Sequence, residues 1–146
     1  MELGTTFMHY LQQELYDPPG ARDEIVDFFT EAGVDGMWYW DLEHPEEEWM
    51  SPRFWEVMGY DPDEMPHKSA AWQNIIHTED LRQATANFQA HLADPDHPYD
   101  QIVRYRHGGT GKWVWVRCRG IALRKQDGTP IRMLGVHSDV TPLKET

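Results

Sequence analysis

Val103–Thr141 reads VRYRHGGTGKWVWVRCRGIALRKQDGTPIRMLGVHSDVT, and its two-residue alternation decides the fold. Side chains along a strand point alternately to its two faces, so each run divides into an inner and an outer set. Between Lys112 and Arg124, one face carries Trp113, Trp115, Arg117 and Arg119. The other carries Val114, Val116, Cys118, Gly120 and Ala122. Unpaired arginines are seldom buried, so the second set is predicted to face the core. The same argument turns Arg104 and Arg106 outward and Val103 and Tyr105 inward. It also sends Ile131, Met133, Gly135 and His137 inward, opposite Arg132. The glycine-rich turn His107–Gly111 and the Asp127-Gly128 turn join three strands, Tyr99–Arg106, Lys112–Arg124 and Ile131–Asp139. Small residues at Gly120, Ala122 and Gly135 leave room on the inner side, where a cavity is expected. Trp113, Trp115, Leu134 and Val136 make the outer face apolar too, so it also needs a cover.

Upstream, Gly36–Asp41 (GMWYWD) and Trp49–Ser51 read as two more strands, separated by a charged turn from Glu43 to Glu48. Ser51 is placed to cap a helix from Pro52 to Met58 that Gly59 stops. Asp61–Met65 makes a short turn or helix, and Ala70–Ile76 a short helix carrying Trp72. Thr78 is expected to cap a longer helix through Leu92, with Leu81, Thr85, Phe88 and Leu92 on its inner face. At the N-terminus, Thr5 or Thr6 can cap a helix with Phe7, Tyr10, Leu11 and Leu15 on one side, broken at Pro18-Pro19-Gly20. A second helix, from Ala21 to Ala32, shows Ile25, Phe28 and Phe29 on one side and ends at Gly33. These acidic helices suit the outer face with its tryptophans and arginines. Helices, two strands, helices and three strands make an α+β fold with an antiparallel sheet.

Composition narrows the function. The chain has 146 residues, 40% of them hydrophobic, with seven tryptophans, enough for one packed core. No apolar run approaches the roughly 18 residues of a membrane span, and the first residues lack the pattern of a signal peptide, so a cytoplasmic location is expected. One cysteine, Cys118, excludes an internal disulfide or a cysteine-based zinc site. A net charge of −12 argues against nucleic acid, whose phosphates demand a basic footprint. The charge is uneven: residues 1–64 carry 17 acidic side chains against Arg22 and Arg53, whereas residues 100–146 carry nine basic against four acidic. The two parts are expected to face each other within one fold or across a dimer.

Taken in order, GMWYWDLEHPEEEWMSPRFWEVMGYDPDEM (36–65), IIHTEDLRQA (75–84) and the stretch Val103–Thr141 resemble a PAS domain of the bacterial sensory type, over about Val34–Pro142. Met58-Gly59-Tyr60 and His77-Thr78-Glu79-Asp80 contribute, and Asp139-Val140-Thr141 matches the motif that closes PAS cores ahead of a signalling helix. The resemblance implies a PAS fold: a five-stranded antiparallel sheet with helices over its inner face, and a role in sensing, dimerising and relaying signals. It divides the chain into an N-terminal helical cap (1–33), the PAS domain (34–142) and the start of an exit or linker helix (143–146). Thr141 as cap, Pro142 and Leu143 begin that helix, so the chain reads as the sensor portion of a longer protein. Asp139 is expected to anchor it by hydrogen bonds or a salt bridge to an arginine.

The departures from relatives are informative. Photoactive flavin-binding relatives carry a cysteine in an Asn-Cys-Arg motif after the Gly-Tyr segment. Here DEMPHKSAAWQNII (63–76) has none. Haem-binding relatives ligate iron through a histidine of the long helix; His91 lies near the end of that helix, outside its apolar stripe. Neither flavin nor haem is therefore expected. His137 falls where the flavin relatives place a glutamine that touches the ligand.

Candidate cavity residues are Trp38, Trp40, Trp72, Tyr105, Val116, Cys118, Met133 and His137; candidate relay residues are Asp139 and Thr141. His137 is a hydrogen-bonded core residue or else a ligand contact or proton switch. Trp38 and Trp40 fill the core or stack on a flat ligand. Cys118, inward among valines, is expected to be inert. No nucleophile has a base at recognisable spacing and the His107–Gly111 turn lacks the strand-to-helix context of a phosphate loop, so catalysis is not expected. Two readings stay open. One is a homodimeric sensory domain that regulates a C-terminal effector such as a histidine kinase or diguanylate cyclase. The other is a ligand-free structural module for dimerisation or partner docking.

Overall fold

A computed structural model describes residues 9–16 and 35–144. Helix α1 (Tyr10–Tyr16) precedes β1 (Gly36–Asp41), β2 (Glu48–Met50), α2 (Pro52–Val57), a turn of 3-10 helix (Pro62–Glu64) and α3 (Ser69–Gln73). The long helix α4 (Thr78–Ala93), strands β3 (Tyr99–Arg106), β4 (Trp113–Arg124) and β5 (Pro130–Asp139), and the short α5 (Thr141–Lys144) follow. The five strands form one antiparallel sheet in the order β2-β1-β5-β4-β3. The expected α+β fold class and strand number hold. The N-terminal caps at Thr5 or Thr6, Phe7 and the helix from Ala21 to Ala32 lie outside the described residues.

The alternation fixes the layers. Val103, Tyr105, Val114, Val116, Cys118, Ala122 and Met133 pack inward with Phe54, Trp55 and Trp72 from the helices. On the opposite face Tyr39, Trp49, Leu123 and Leu134 gather around Leu11 of α1, which is fully buried. Helix α1 thus covers the outer face, but over β1 and β2. Trp113 and Trp115 lie beyond its reach. Their rings are overlaid instead by cations: Arg106 at 4.3 Å from the Trp113 centroid, and Arg104 and Lys144 each at 5.1 Å from that of Trp115.

Charge ties α1 down. Arg132 Nε donates to Glu14 Oε2 (2.9 Å), while its NH1 group reaches Asp41 Oδ1 and Glu43 Oε1, each at 2.9 Å. Tyr10 Oη donates to Asp41 Oδ2 (2.6 Å) and Tyr39 Oη to Glu14. The acidic first half and the basic last segment do meet here, within one fold.

Several local expectations are corrected by where side chains find better partners. Ser51 makes no side-chain cap; its Oγ accepts from Met37 N (3.0 Å) and fixes the start of α2 against β1. The cap of α4 is His77, whose Nδ1 accepts from Glu79 N (3.1 Å), one residue before Thr78. Thr85 is exposed, and Ala84 takes the buried position on α4. Gly59, with φ 84°, ends α2 as expected, and Gly128, with φ 92°, makes the β4–β5 turn.

Candidate functional site

Trp38 and Trp40 point inward from β1, opposite Met50 and Glu48 of β2. With Trp72 of α3, Gln101 and Tyr105 of β3, Cys118 of β4 and His137 of β5 they surround a cavity beneath α3 and α4. Its volume, counted as space for the centre of a water molecule, is about 20 Å3, room for one or two waters. The room expected from Gly120 and Gly135 is occupied: a Cβ on Gly120 would stand 2.8 Å from the Trp38 ring, and one on Gly135 would collide with it. The small residues of β4 and β5 seat an indole, and the cavity lies beside that indole.

The lining is polar where it is most deeply buried. Glu48 is 2% exposed, and its carboxyl accepts one hydrogen bond, from Trp72 Nε1 (2.7 Å). Burial pushes its pKa up to about 8, against the smaller opposing effect of the Trp72 N–H. His137 is 3% exposed, and its ring lies 4.6 Å from that of Phe54. Neither of its nitrogens has a hydrogen-bond partner among the described residues, and burial lowers its pKa to about 3. His137 is therefore neither a satisfied core histidine nor charged near neutrality. Trp38 Nε1 and Gln101 Nε2 are likewise buried without partners, although Gln101 Oε1 accepts from Asn87 Nδ2 (3.0 Å). The Tyr99 hydroxyl and the Cys118 thiol lie near these two groups without completing a hydrogen bond to either. Burial pushes the Cys118 thiol up, away from the reactive thiolate.

Of the sequence candidates, Trp38, Trp40, Trp72, Tyr105, Cys118 and His137 come together around the cavity. Val116 and Met133 are wholly buried in the same core, outside its lining. Glu48 and Gln101 were missed. Extending the inward set of β3 from Tyr105 and Val103 by two more residues reaches Gln101, and pairing β2 against Trp40 reaches Glu48, so both signals were present. His91 is buried, contrary to its reading as outside the helix's inner face. Its Nδ1 donates to His97 O (2.6 Å) and its Nε2 accepts from Ala122 N (3.1 Å), which leaves no lone pair for a metal. The cavity, filled on one side by Trp38, does not fit a tricyclic flavin ring.

The exit motif is held to β4. Asp139 Oδ1 accepts from Thr141 N (2.9 Å), and Thr141 Oγ1 accepts from Trp115 N (2.9 Å). Val140 N donates to Trp115 O (2.8 Å). Thr141 therefore does not cap α5 with its hydroxyl, which is spent on the strand. Asp139 anchors the turn through the Thr141 amide, and no ion pair with an arginine is found for it among the described residues.

This architecture has known counterparts. One solved structure is a sensory box histidine kinase/response regulator from Burkholderia thailandensis: 31% identity, TM-score 0.65, covering 86% of this chain and 88% of that one. The N-terminal domain of a diguanylate cyclase with a PAS/PAC sensor from Marinobacter aquaeolei matches at 19% identity and TM-score 0.60, over 76% of this chain and 98% of that one. A light-oxygen-voltage domain studied with a flavin analogue matches at 18% identity and TM-score 0.60, over 83% and 87%. No curated protein matches the chain. The family model described as the PAS fold matches residues 47–137, from the end of the Glu43–Glu48 turn to His137 at the cavity. More than half of the sequence lies within that match, and the chain belongs to the PAS fold family.

Proposed function

We propose that this PAS domain is a sensory module that homodimerises and passes the state of its inner cavity to a C-terminal output domain, such as a histidine kinase or diguanylate cyclase. The observation that carries the reading is the position of β5: it places His137 on the cavity and, two residues on, Asp139 at the exit turn. Trp38, Trp40, Trp72, Tyr105, Cys118 and His137 form the sensing wall, backed by Val116 and Met133. Asp139 and Thr141 form the relay. The division is a cap (1–33), a core (34–142) and an exit segment from residue 143, inside the helix that begins at Thr141. The chain itself performs no catalysis and holds no flavin or haem, in keeping with the occupied His91 and the size of the cavity. In the parent protein, Asp139→Ala and Thr141→Ala are expected to leave the domain folded and to uncouple output from the cue. Output that still responds in both variants would refute the relay. Light scattering of the purified chain tests the dimer.

A second reading has its own support: Trp38 fills the Gly120–Gly135 notch, as a purely structural dimerisation or docking module would require. A domain of that kind would show no saturable binding of any small molecule at the cavity.

A further inference from the structure

Six buried side-chain polar atoms among the described residues lack a hydrogen-bond partner, and four of them belong to cavity residues: Trp38 Nε1, Gln101 Nε2 and both nitrogens of His137. Buried polar groups are ordinarily paired, so such clustering at one void points to an occupant. The balance of donors and acceptors defines its chemistry. Trp38 and Gln101 offer only N–H groups here, and the uncharged His137 ring offers one donor and one acceptor. Glu48 accepts one hydrogen bond from the described residues, at Oε1. The occupant must therefore both accept and donate, as one or two waters do, or the polar head of a ligand that displaces them.

Charged ligands fail this balance. No lysine or arginine lines the cavity and Glu48 stays protonated below about 8, so neither an anion nor a cation finds a counter-charge there at neutral pH. A cation that displaced the Glu48 proton would pair with the carboxylate, but it has no acceptor for Trp38, Gln101 or His137. An amide or urea group carries a carbonyl acceptor and N–H donors on a few atoms, without charge. A route in also exists. Trp40, Trp72, Ala84 and Tyr99 line both the cavity and an adjoining groove of about 200 Å3 that runs along α4 past Phe88. A small polar head fits the cavity while a flat apolar body occupies the groove between aromatic faces.

We propose that the cavity binds small uncharged molecules through an amide- or urea-type group, whose carbonyl accepts from Trp38 and Gln101 and whose N–H faces Glu48. This rests on the sensory reading above and adds the class of ligand. The test titrates the 146-residue chain with benzamide, benzoate and benzylammonium, which share one ring and differ in charge. Binding is read from the tryptophan indole N–H signals in proton–nitrogen NMR. Benzamide is expected to move the Trp38 signal saturably, and the two charged probes are not. Gln101→Leu should weaken benzamide about tenfold through the lost hydrogen bond, whereas Glu48→Gln, uncharged and of the same shape, should hold it within about threefold. Melting curves establish that both variants are folded. Tighter binding of benzylammonium with loss on Glu48→Gln, or tighter binding of benzoate, overturns the ligand class and leaves a sensor. Absence of binding by all three, with the indole signals unmoved, overturns this ligand class, while the sensory reading is decided separately by the relay variants in the parent protein.

Discussion

Glu48 and His137 pull the pH dependence of stability in opposite directions. Folding raises the Glu48 pKa from 4.5 to about 8, so its contribution is intact at low pH and is lost as pH rises through that interval. Folding lowers the His137 pKa from 6.5 to about 3, so its contribution is intact above 6.5 and is lost as pH falls. Between 4.5 and 6.5 the two slopes oppose each other; above 6.5 only Glu48 acts. Tyr99, Tyr105 and Cys118, which face the same space, are all pushed up by burial and stay uncharged there. Urea unfolding should therefore show stability falling from neutral pH toward about 8, and Glu48→Gln should abolish that fall, gaining on the order of a few kcal/mol at its end. A variant curve parallel to that of the parent would mean the carboxylate is solvated. Gly135 offers a second test at this scale. Its alanine variant should lose about 1–3 kcal/mol, because the new methyl meets the Trp38 ring, and Trp38→Phe should restore part of it. An unchanged melting temperature would show that the indole is not seated there. Inward pointing of His137 was readable from alternation against Arg132, since it depends only on neighbours in sequence, whereas Trp38 was placed at the cavity by the family resemblance. That Trp38 consumes the glycine notch was not readable, because filling depends on rotamers across strands.

Helix α1 shows what one element needs in order to stay on a sheet. It has seven residues, too few to be stable alone, so packing and charge must hold it. Leu11 supplies the apolar anchor and Arg132 the polar one, with Asp41 only 1% exposed beneath. Arg132→Met would take the counter-charge from Asp41, which keeps hydrogen bonds from Tyr10 Oη, Glu43 N and His44 N, at a cost of about 3 kcal/mol. A loss under about 1 kcal/mol in chemical unfolding, the usual yield of a surface pair, would show that the network is solvated. The exit turn works on smaller terms. Thr141→Ala removes the acceptor for Trp115 N and should cost about 0.5–1.5 kcal/mol, with the sheet intact by circular dichroism. Element types and order were legible because strand alternation and glycine stops are local signals. Caps were not, since Ser51 and Thr141 each found a backbone partner on a distant strand that no local rule anticipates.

At the scale of the molecule, one sheet separates two apolar clusters, and β5, the middle strand of β2-β1-β5-β4-β3, belongs to both. Met133 and His137 look into the inner cluster, Leu134 into the outer, and the strand ends at the turn held by Trp115. A perturbation of β5 at the cavity therefore has a short, stiff path to the exit. One made on α4 enters the sheet through β3, or through the His91–Ala122 hydrogen bond on β4, seven residues from Trp115. His137→Leu tests this asymmetry. It removes two unpartnered nitrogens and should stabilise the domain by about 1 kcal/mol or more. It should also slow amide exchange at Val140 and Thr141, whose hydrogen bonds lie within four residues of the change. Phe88→Leu, on the far wall where Phe88 stacks on Trp40 at 4.8 Å, should loosen α4 and leave those two amides as they were. Equal effects of the two substitutions at the exit turn would mean the domain responds as a single cooperative body, and β5 would lose its claim as the connecting element.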